Sequence, residues 1–172
     1  GTLKERRRAY LQYDFPAFSK GTIQSGPKSS SRREVGHGAL AEKSILPVLP
    51  PIYSFPYTIR ITREVTSSNG SSSMASVCGA TLSLLDAGVP ISAPVAGVSV
   101  GVVLDDNERH QLMLDLTGTE DHYGAMDFKI AGTKTFVTGF QLDVKKPLPL
   151  PIIVEALNLA REGRSAIIDE MK

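Results

Sequence analysis

The sequence predicts a mixed α/β (α+β) domain, and three observations predict it. Residues 57–65 and 136–144 alternate apolar and polar side chains at the strand period. Residues 95–104 are apolar almost throughout and rich in valine, as expected of a strand buried on both faces. Residues 74–85 and 150–171 instead repeat their apolar side chains at helical spacing. Hairpin-like neighbouring strands together with packed helices leave the all-α and all-β classes out.

The elements follow in order. Residues 1–35 read as a basic, irregular arm and loop, with a Gly/Ser/Pro/Lys tract at 25–31. Residues 36–172 read as the folded domain. Its first helix is expected over 38–49, carrying Leu40, Ile45 and Val48 and closed by Pro47 and Pro50-Pro51. The strand 57–65 follows, with Tyr57, Ile59 and Ile61 on one face. Asn69-Gly70 is a turn signal, after which Ser72 or Ser73 can cap a helix through Met74, Val77, Thr81 and Leu85. Gly88 and Pro90 end it. Beyond the apolar strand come a turn at Asp105-Asp106-Asn107 and short strands at 111–116 and 125–131. The strand 136–144 and the amphipathic helix 150–171, with a stripe of Ile153, Ala156, Leu157, Ala160 and Ile167, complete the chain.

Composition narrows the class of function only a little. The chain has 172 residues, enough for one core, with 41% hydrophobic and 22% charged residues, ordinary for a globular domain. Net charge is +1, but residues 1–35 hold eight Lys or Arg against Glu5, Asp14 and Glu34, leaving the rest at −4. A basic arm on a mildly acidic body suits a protein that draws polyanions to one edge, although charge alone fits a solvated N-terminus better. Cys78 is the single cysteine, so a disulfide framework and a cysteine zinc site are both excluded. His37, His110 and His122 are too scattered for a metal cluster by spacing. Residues 87–104 carry no charge, yet Gly88, Pro90, Pro94, Gly97 and Gly101 make them a poor membrane helix. No secretion signal opens the chain, and Gly1 reads as a processing boundary.

Three clusters carry chemistry. In Ser67-Ser-Asn-Gly-Ser-Ser-Ser-Met-Ala-Ser76, hydroxyl residues run from a glycine turn into a helix, where free backbone N–H groups can hold a phosphate. By itself this reads first as a plain serine-capped helix. In Thr119-Glu-Asp-His-Tyr-Gly-Ala-Met-Asp-Phe-Lys129, Asp127 and Lys129 share one face of a strand, and Asp121 lies in the preceding loop. Two carboxylates beside an ammonium can bind Mg²⁺ or Mn²⁺ near a reacting phosphate, although the spacing alone fits a surface ion pair. In Ser31-Arg-Arg-Glu-Val-Gly-His-Gly38, Arg32 and Arg33 can fork onto phosphate oxygens while His37 donates or carries a proton.

Six runs, in order and over nearly the whole chain, resemble the polynucleotide phosphorylase family. They are Gln12-Tyr-Asp-Phe-Pro-Ala-Phe18, Arg32-Arg-Glu-Val-Gly-His-Gly-Ala-Leu-Ala-Glu42, Phe55-Pro-Tyr-Thr-Ile-Arg60, Ser68-Asn-Gly-Ser-Ser-Ser-Met-Ala-Ser-Val-Cys-Gly79, Leu85-Asp-Ala-Gly-Val-Pro90 and Met126-Asp-Phe-Lys-Ile-Ala-Gly132.

The resemblance implies a ribonuclease PH-like domain, the second core repeat of such an enzyme. It implies phosphorolytic 3′-to-5′ exoribonuclease (polyribonucleotide nucleotidyltransferase) activity on single-stranded RNA, releasing nucleoside diphosphates and polymerising in reverse. Carried over by motif, Ser71, Ser72 and Ser73 would bind inorganic phosphate. Asp121, Asp127 and Lys129 would be catalytic, with Mg²⁺ or Mn²⁺ on Asp121 and Asp127. Arg32, Arg33 and His37 would hold RNA or phosphate. The family forms homotrimeric rings, without a membrane, in bacterial cytoplasm or in mitochondria and plastids. The opening strands of the repeat are expected to be missing, so these residues by themselves are expected to be inactive. The sequence departs from the family at Gly124-Ala125, where Gly-Asp is usual. Strand alternation predicts Ala125 beside Asp127 and Lys129, thinning the acidic cluster and favouring the alternative of a catalytically weak RNA-binding or scaffold subunit.

Overall fold

The computed structural model describes residues 7–21, 32–105 and 109–171, and of Lys20, Arg32, Arg33 and Asp121 the backbone alone. Its strands are β1 (Ala9–Asp14), β2 (Ile59–Glu64), β3 (Ala96–Leu104), β4 (His110–Leu114), β5 (Met126–Gly132) and β6 (Val137–Val144). Its helices are α1 (Arg32–Ile45), α2 (Ser72–Asp86), α3 (Gly118–Tyr123) and α4 (Leu150–Glu170). The mixed α/β class holds.

The strands form two sheets. β1 and β2 pair in parallel, and the other four form an antiparallel sheet in the order β4-β3-β5-β6. Alternation decides what each face of the larger sheet meets. Val98, Val100 and Val102 of β3, with Met126, Phe128 and Ile130 of β5, form a buried cluster with Ile152, Ala156 and Ala160 of α4. The other face of β3 packs against α2 and that of β6 against α1. Helices α1 and α2 in turn cover β1 and β2 around Leu11, Ala41, Ile45, Ile61, Val77 and Leu84. The layers are therefore small sheet, α1 and α2, large sheet, α4. Each fully buried valine or isoleucine contributes about 1.5–3 kcal/mol relative to an exposed one. A one-residue slip of β3 would send Ser99 and Gly101 toward α4 and forfeit three such side chains, so the register is well specified.

The structure corrects two sequence-based expectations about the N-terminal part. Within the expected irregular arm of residues 1–35, Ala9–Asp14 is a strand, because Ala9 and Leu11 alternate inward with Tyr10 and Gln12 outward. The short alternation lies among charged residues that mask it. Helix α1 begins at Arg32, not near residue 38, so Arg32 and Arg33 lie in a first helical turn and not in a loop. Gly36 and Gly38 are weak helix formers and hide the helix. Gly38 is there for closeness: a Cβ on it would lie 3.2 Å from Tyr13 Cβ on β1. The Gly/Ser/Pro/Lys tract at 25–31 and most of the turn at 105–107 lie outside the described residues. The uncharged stretch 87–104 ends α2 and builds β3, and among the described residues no helix is long and apolar enough to cross a membrane.

Candidate active site

Backbone strain marks the start of α2. Gly70 has φ +113°, and a Cβ there would lie 2.4 Å from the Leu116 carbonyl, so the expected Asn69-Gly70 turn requires glycine. Ser71, and not Ser72 or Ser73, is the cap residue, in the left-handed region at φ 46°. Its hydroxyl does not cap the helix but hydrogen-bonds Ser99 Oγ on β3. No side-chain cap therefore meets the Ser72 and Ser73 amides, whereas the third amide of the turn, Met74 N–H, donates to the Ser71 carbonyl at 3.1 Å. Ser72 Oγ lies 2.8 Å from the Tyr13 hydroxyl of β1. Ser73 Oγ is fully buried with no hydrogen-bond partner among the described residues, a state that buried hydroxyls seldom keep.

Ser99 joins this turn to the second cluster. It is the hydroxyl within an apolar strand, and it faces Lys129 across the β3–β5 ladder. Lys129 and Asp127 point to that same face, as alternation predicts, and their side chains form an ion pair. Both are largely buried, with side-chain exposures of 9% and 15%. Gly101 stands opposite Asp127, and Leu116 lies over it: a Cβ on Gly101 would come within 2.4 Å of the leucine side chain. The same loop donates Leu116 N–H to Ser99 Oγ at 3.2 Å. The ion pair is therefore walled by apolar groups on one flank and hydroxyls on the other.

Helix α3 closes the third side. Gly118 N–H donates to the Asn69 carbonyl at 2.8 Å, tying the start of α3 to the serine turn. Thr117 and Glu120 form a capping box, and the hydrogen bonds from Thr117 hold the Glu120 carboxyl below its usual range. Asp121 thus belongs to a helix and not to the expected loop; its side chain lies outside the described atoms, as do those of Arg32 and Arg33. His37 of α1 is 9% exposed and meets the Tyr13 ring edge-on, centroids 5.9 Å apart. Three distant stretches thus converge through Tyr13 and Ser99, two residues that the sequence did not single out. Ser99 was visible as a polar interruption of 95–104; Tyr13 lies in the first of the six family-like runs, but nothing in its own pattern marks it as part of the site. Cys78 sits behind this assembly, its thiol pushed up chiefly by burial, which suits packing and not nucleophilic chemistry.

Among the described residues no group of three or more His, Cys, Asp or Glu side chains converges on one point. Ala125 does not continue the face of Asp127 and Lys129. It precedes β5, donates its N–H to the Val102 carbonyl, and packs against the apolar cluster under α4. The alternation argument fails there because the ladder begins one residue later. Ala125→Asp is accordingly expected to leave the divalent-ion titration of turnover where it is while costing about 1–2 kcal/mol for the polar group placed against apolar surface. A titration midpoint moving severalfold to lower ion concentration would place residue 125 back in the site.

Sequence comparison decides the family. Profiles of the 3′ exoribonuclease family match residues 3–90 as its domain 1 and residues 93–163 as its domain 2. The chain belongs to the 3′ exoribonuclease family. Relatives within reach of that family include the polyribonucleotide nucleotidyltransferases of Akkermansia muciniphila, 51% identical over 99% of this chain and 24% of that one, and of Desulfovibrio desulfuricans, 54% identical over 96% and 22%. That of Roseiflexus sp. is 52% identical over 98% and 23%. The resemblance carried by the six motifs is thus borne out along the chain, which spans about a quarter of the length of these curated relatives. The crystal structure of rice Rrp46 superposes with a TM-score of 0.74 at 17% identity, covering 99% of this chain and 76% of that one, and so shares the ribonuclease PH-like fold.

Proposed function

We propose that the chain is the second core repeat of a phosphorolytic 3′-to-5′ exoribonuclease, a polyribonucleotide nucleotidyltransferase. The observation that carries this reading is the junction at Ser99, which sets a serine-rich helix start against the Asp127–Lys129 pair. Inorganic phosphate is held at the start of α2 by Ser71, Ser72 and Ser73, with the Ser72 and Ser73 amides as backbone donors. One of its oxygens forms a bond to the phosphorus of the terminal nucleotide, and the bond from that phosphorus to the 3′ oxygen of the preceding nucleotide breaks. A nucleoside diphosphate leaves, and the shortened RNA keeps a 3′ hydroxyl. Lys129 is placed to neutralise the departing oxygen and deliver a proton to it. Arg32, Arg33 and His37, from the start of α1, hold the RNA end or the phosphate.

Asp127 and Asp121 suit a hard divalent cation by donor type, since carboxylate oxygens are what Mg²⁺ and Mn²⁺ prefer. Such an ion would supply charge neutralisation at the phosphoryl oxygens. The partners on this reading are single-stranded RNA, phosphate, nucleoside diphosphates and, in the full-length protein, two further copies in a ring. With bacterial relatives, the cytoplasm is the proposed compartment.

The full-length enzyme is expected to release nucleoside diphosphates from RNA only when phosphate is supplied. Nucleoside monophosphates formed with water alone would make the enzyme a hydrolytic nuclease, and no products at all would leave an RNA-binding or scaffold role. Within that enzyme, Ser72→Ala combined with Ser73→Ala is expected to raise the half-saturating phosphate concentration about tenfold or more, since hydrogen bonds to a charged group are worth roughly 1.5–3 kcal/mol. Single-stranded RNA binding, spread over a longer track, should stay within about twofold. An unchanged phosphate dependence would remove the serine turn from the site.

A further inference from the structure

Backbone hydrogen bonds show which side of β2 is used. Ile59 N–H donates to the Arg8 carbonyl at 2.9 Å and Val65 N–H to the Asp14 carbonyl at 3.1 Å, so the odd-numbered residues of this strand face β1. Successive residues of a strand send their N–H and C=O groups to opposite edges. Those of Arg60 and Thr62 therefore point away from β1, to an edge where no other strand of the described residues lies. A groove of about 420 Å³ runs along that edge. Thr58, Arg60 and Thr62 line it on one side, and Ser83, Leu84 and Ala87 at the end of α2 line it on the other. Phe55 and Tyr57 line it where β2 begins, in an edge-to-face pair with centroids 5.0 Å apart, and Tyr57 is 65% exposed.

Free strand edges are normally guarded by charges or covered. β1 shows such a guard: Glu42 of α1 takes the Leu11 N–H at 2.9 Å and stands 3.6 Å from Arg7. On β2 the charged side chain that lines the groove is turned elsewhere. Arg60 donates to Gln12 Oε1 at 2.7 Å, and its guanidinium carbon lies 5.9 Å from the Tyr10 ring centroid, both on β1. The groove thus offers backbone donors and acceptors at a repeat of about 6.6 Å, two residues of strand, beside apolar side chains. We infer that the outer edge of β2 takes an extended segment of a partner protein, added as a further strand with alternate apolar side chains against Leu84 and the Phe55–Tyr57 pair. An α-helix uses its backbone groups internally and RNA carries no matching row of them, so neither satisfies the edge. A second copy of this chain fits no better: in an antiparallel pairing of two β2 edges, both α2 ends would compete for one groove. The inference is independent of how the serine turn handles phosphate.

The test is peptide binding to the full-length protein. A display library of random peptides about eight residues long, within the usual range of strand lengths, is selected on it, and the recovered peptides are measured by fluorescence anisotropy. They are expected to alternate apolar residues. N-methylation of every second amide should remove binding in one register and not in the other, because a single edge of the peptide pairs. Thr62→Pro removes an outward N–H that β1 does not use and is expected to weaken binding about fivefold, the effect of one hydrogen bond. Ala87→Trp fills the groove and should abolish binding. The thermal midpoint and the affinity for single-stranded RNA should be unchanged in both variants. Where Thr62→Pro does not fold, Ala87→Trp and the methylated peptides, which leave the protein untouched, decide the matter. No enriched peptide, or binding indifferent to N-methylation and to both variants, would overturn the inference. So would self-association of the wild-type protein that Ala87→Trp abolishes, which would assign the edge to a second copy. A loss of RNA affinity in that variant would assign the groove to RNA and overturn it equally.

Discussion

Lys129→Met and Asp127→Asn are each expected to lower kcat by a factor of about 10²–10³ or more, the usual consequence of removing a preorganised charge from a reacting centre. The two side chains are ion-paired on the buried face of β5, and Ser99 brings the serine turn to the same place. Stability should follow a different pattern from activity. Breaking a largely buried pair from one side costs about 3 kcal/mol, because one charge loses its counter-charge in a poorly solvated place. The two changes made together should cost about 1–2 kcal/mol less than the sum, since the attraction is lost only once. Activity should not recover at all. Unfolding midpoints and single-turnover rates on the same four proteins separate these effects: stability and activity recovering together in the double variant would mean that the pair is structural and the chemistry lies elsewhere.

How much of this was legible beforehand depends on whether the signal is local. The strands β2, β3, β5 and β6 and the helices α2 and α4 were readable because their apolar periodicity runs for several residues without interruption. β1 was not, since its inward Ala9 and Leu11 are too few to stand out from the charges around them. α1 was half hidden, because Gly36 and Gly38 argue against helix on propensity, while Gly38 is there to let α1 approach β1. The same division runs through the site. Ser71–Ser73 and the Asp127–Lys129 pair are close in sequence, so spacing finds them. Tyr13 meets Ser72 across 59 residues and Ser71 meets Ser99 across 28, and no periodicity encodes such meetings. Ala125 shows the opposite hazard: alternation was extended one residue beyond the point where the ladder supplies it.

Gly97→Val is expected to be strongly damaging although it lies outside the reacting groups and valine favours strands more than glycine does. On β3, Gly97 lies directly beneath α2. Its N–H donates to Cys78 Sγ at 3.4 Å, and two residues earlier Thr81 Oγ1 donates to the Val95 carbonyl at 2.6 Å. A Cβ added at Gly97 would stand 3.0 Å from both the carbonyl oxygen and the sulfur of Met74 and 3.1 Å from its Cα. Two of those atoms are backbone and cannot turn aside, so the helix must lift. Overpacking of this kind costs about 1–3 kcal/mol, and more where backbone has to move. The gain in strand propensity is at most about 1 kcal/mol and does not offset it. Lifting α2 also draws Ser71 away from Ser99, so KM for phosphate in the full-length enzyme should rise together with the fall in unfolding midpoint. Gly79→Ala, on the exposed side of the same helix with open space around its Cβ, should instead stabilise by about 0.5–1 kcal/mol and leave KM unchanged. A Gly97→Val protein with the wild-type midpoint and the wild-type KM would show that α2 does not sit on β3 closely enough to set the phosphate site.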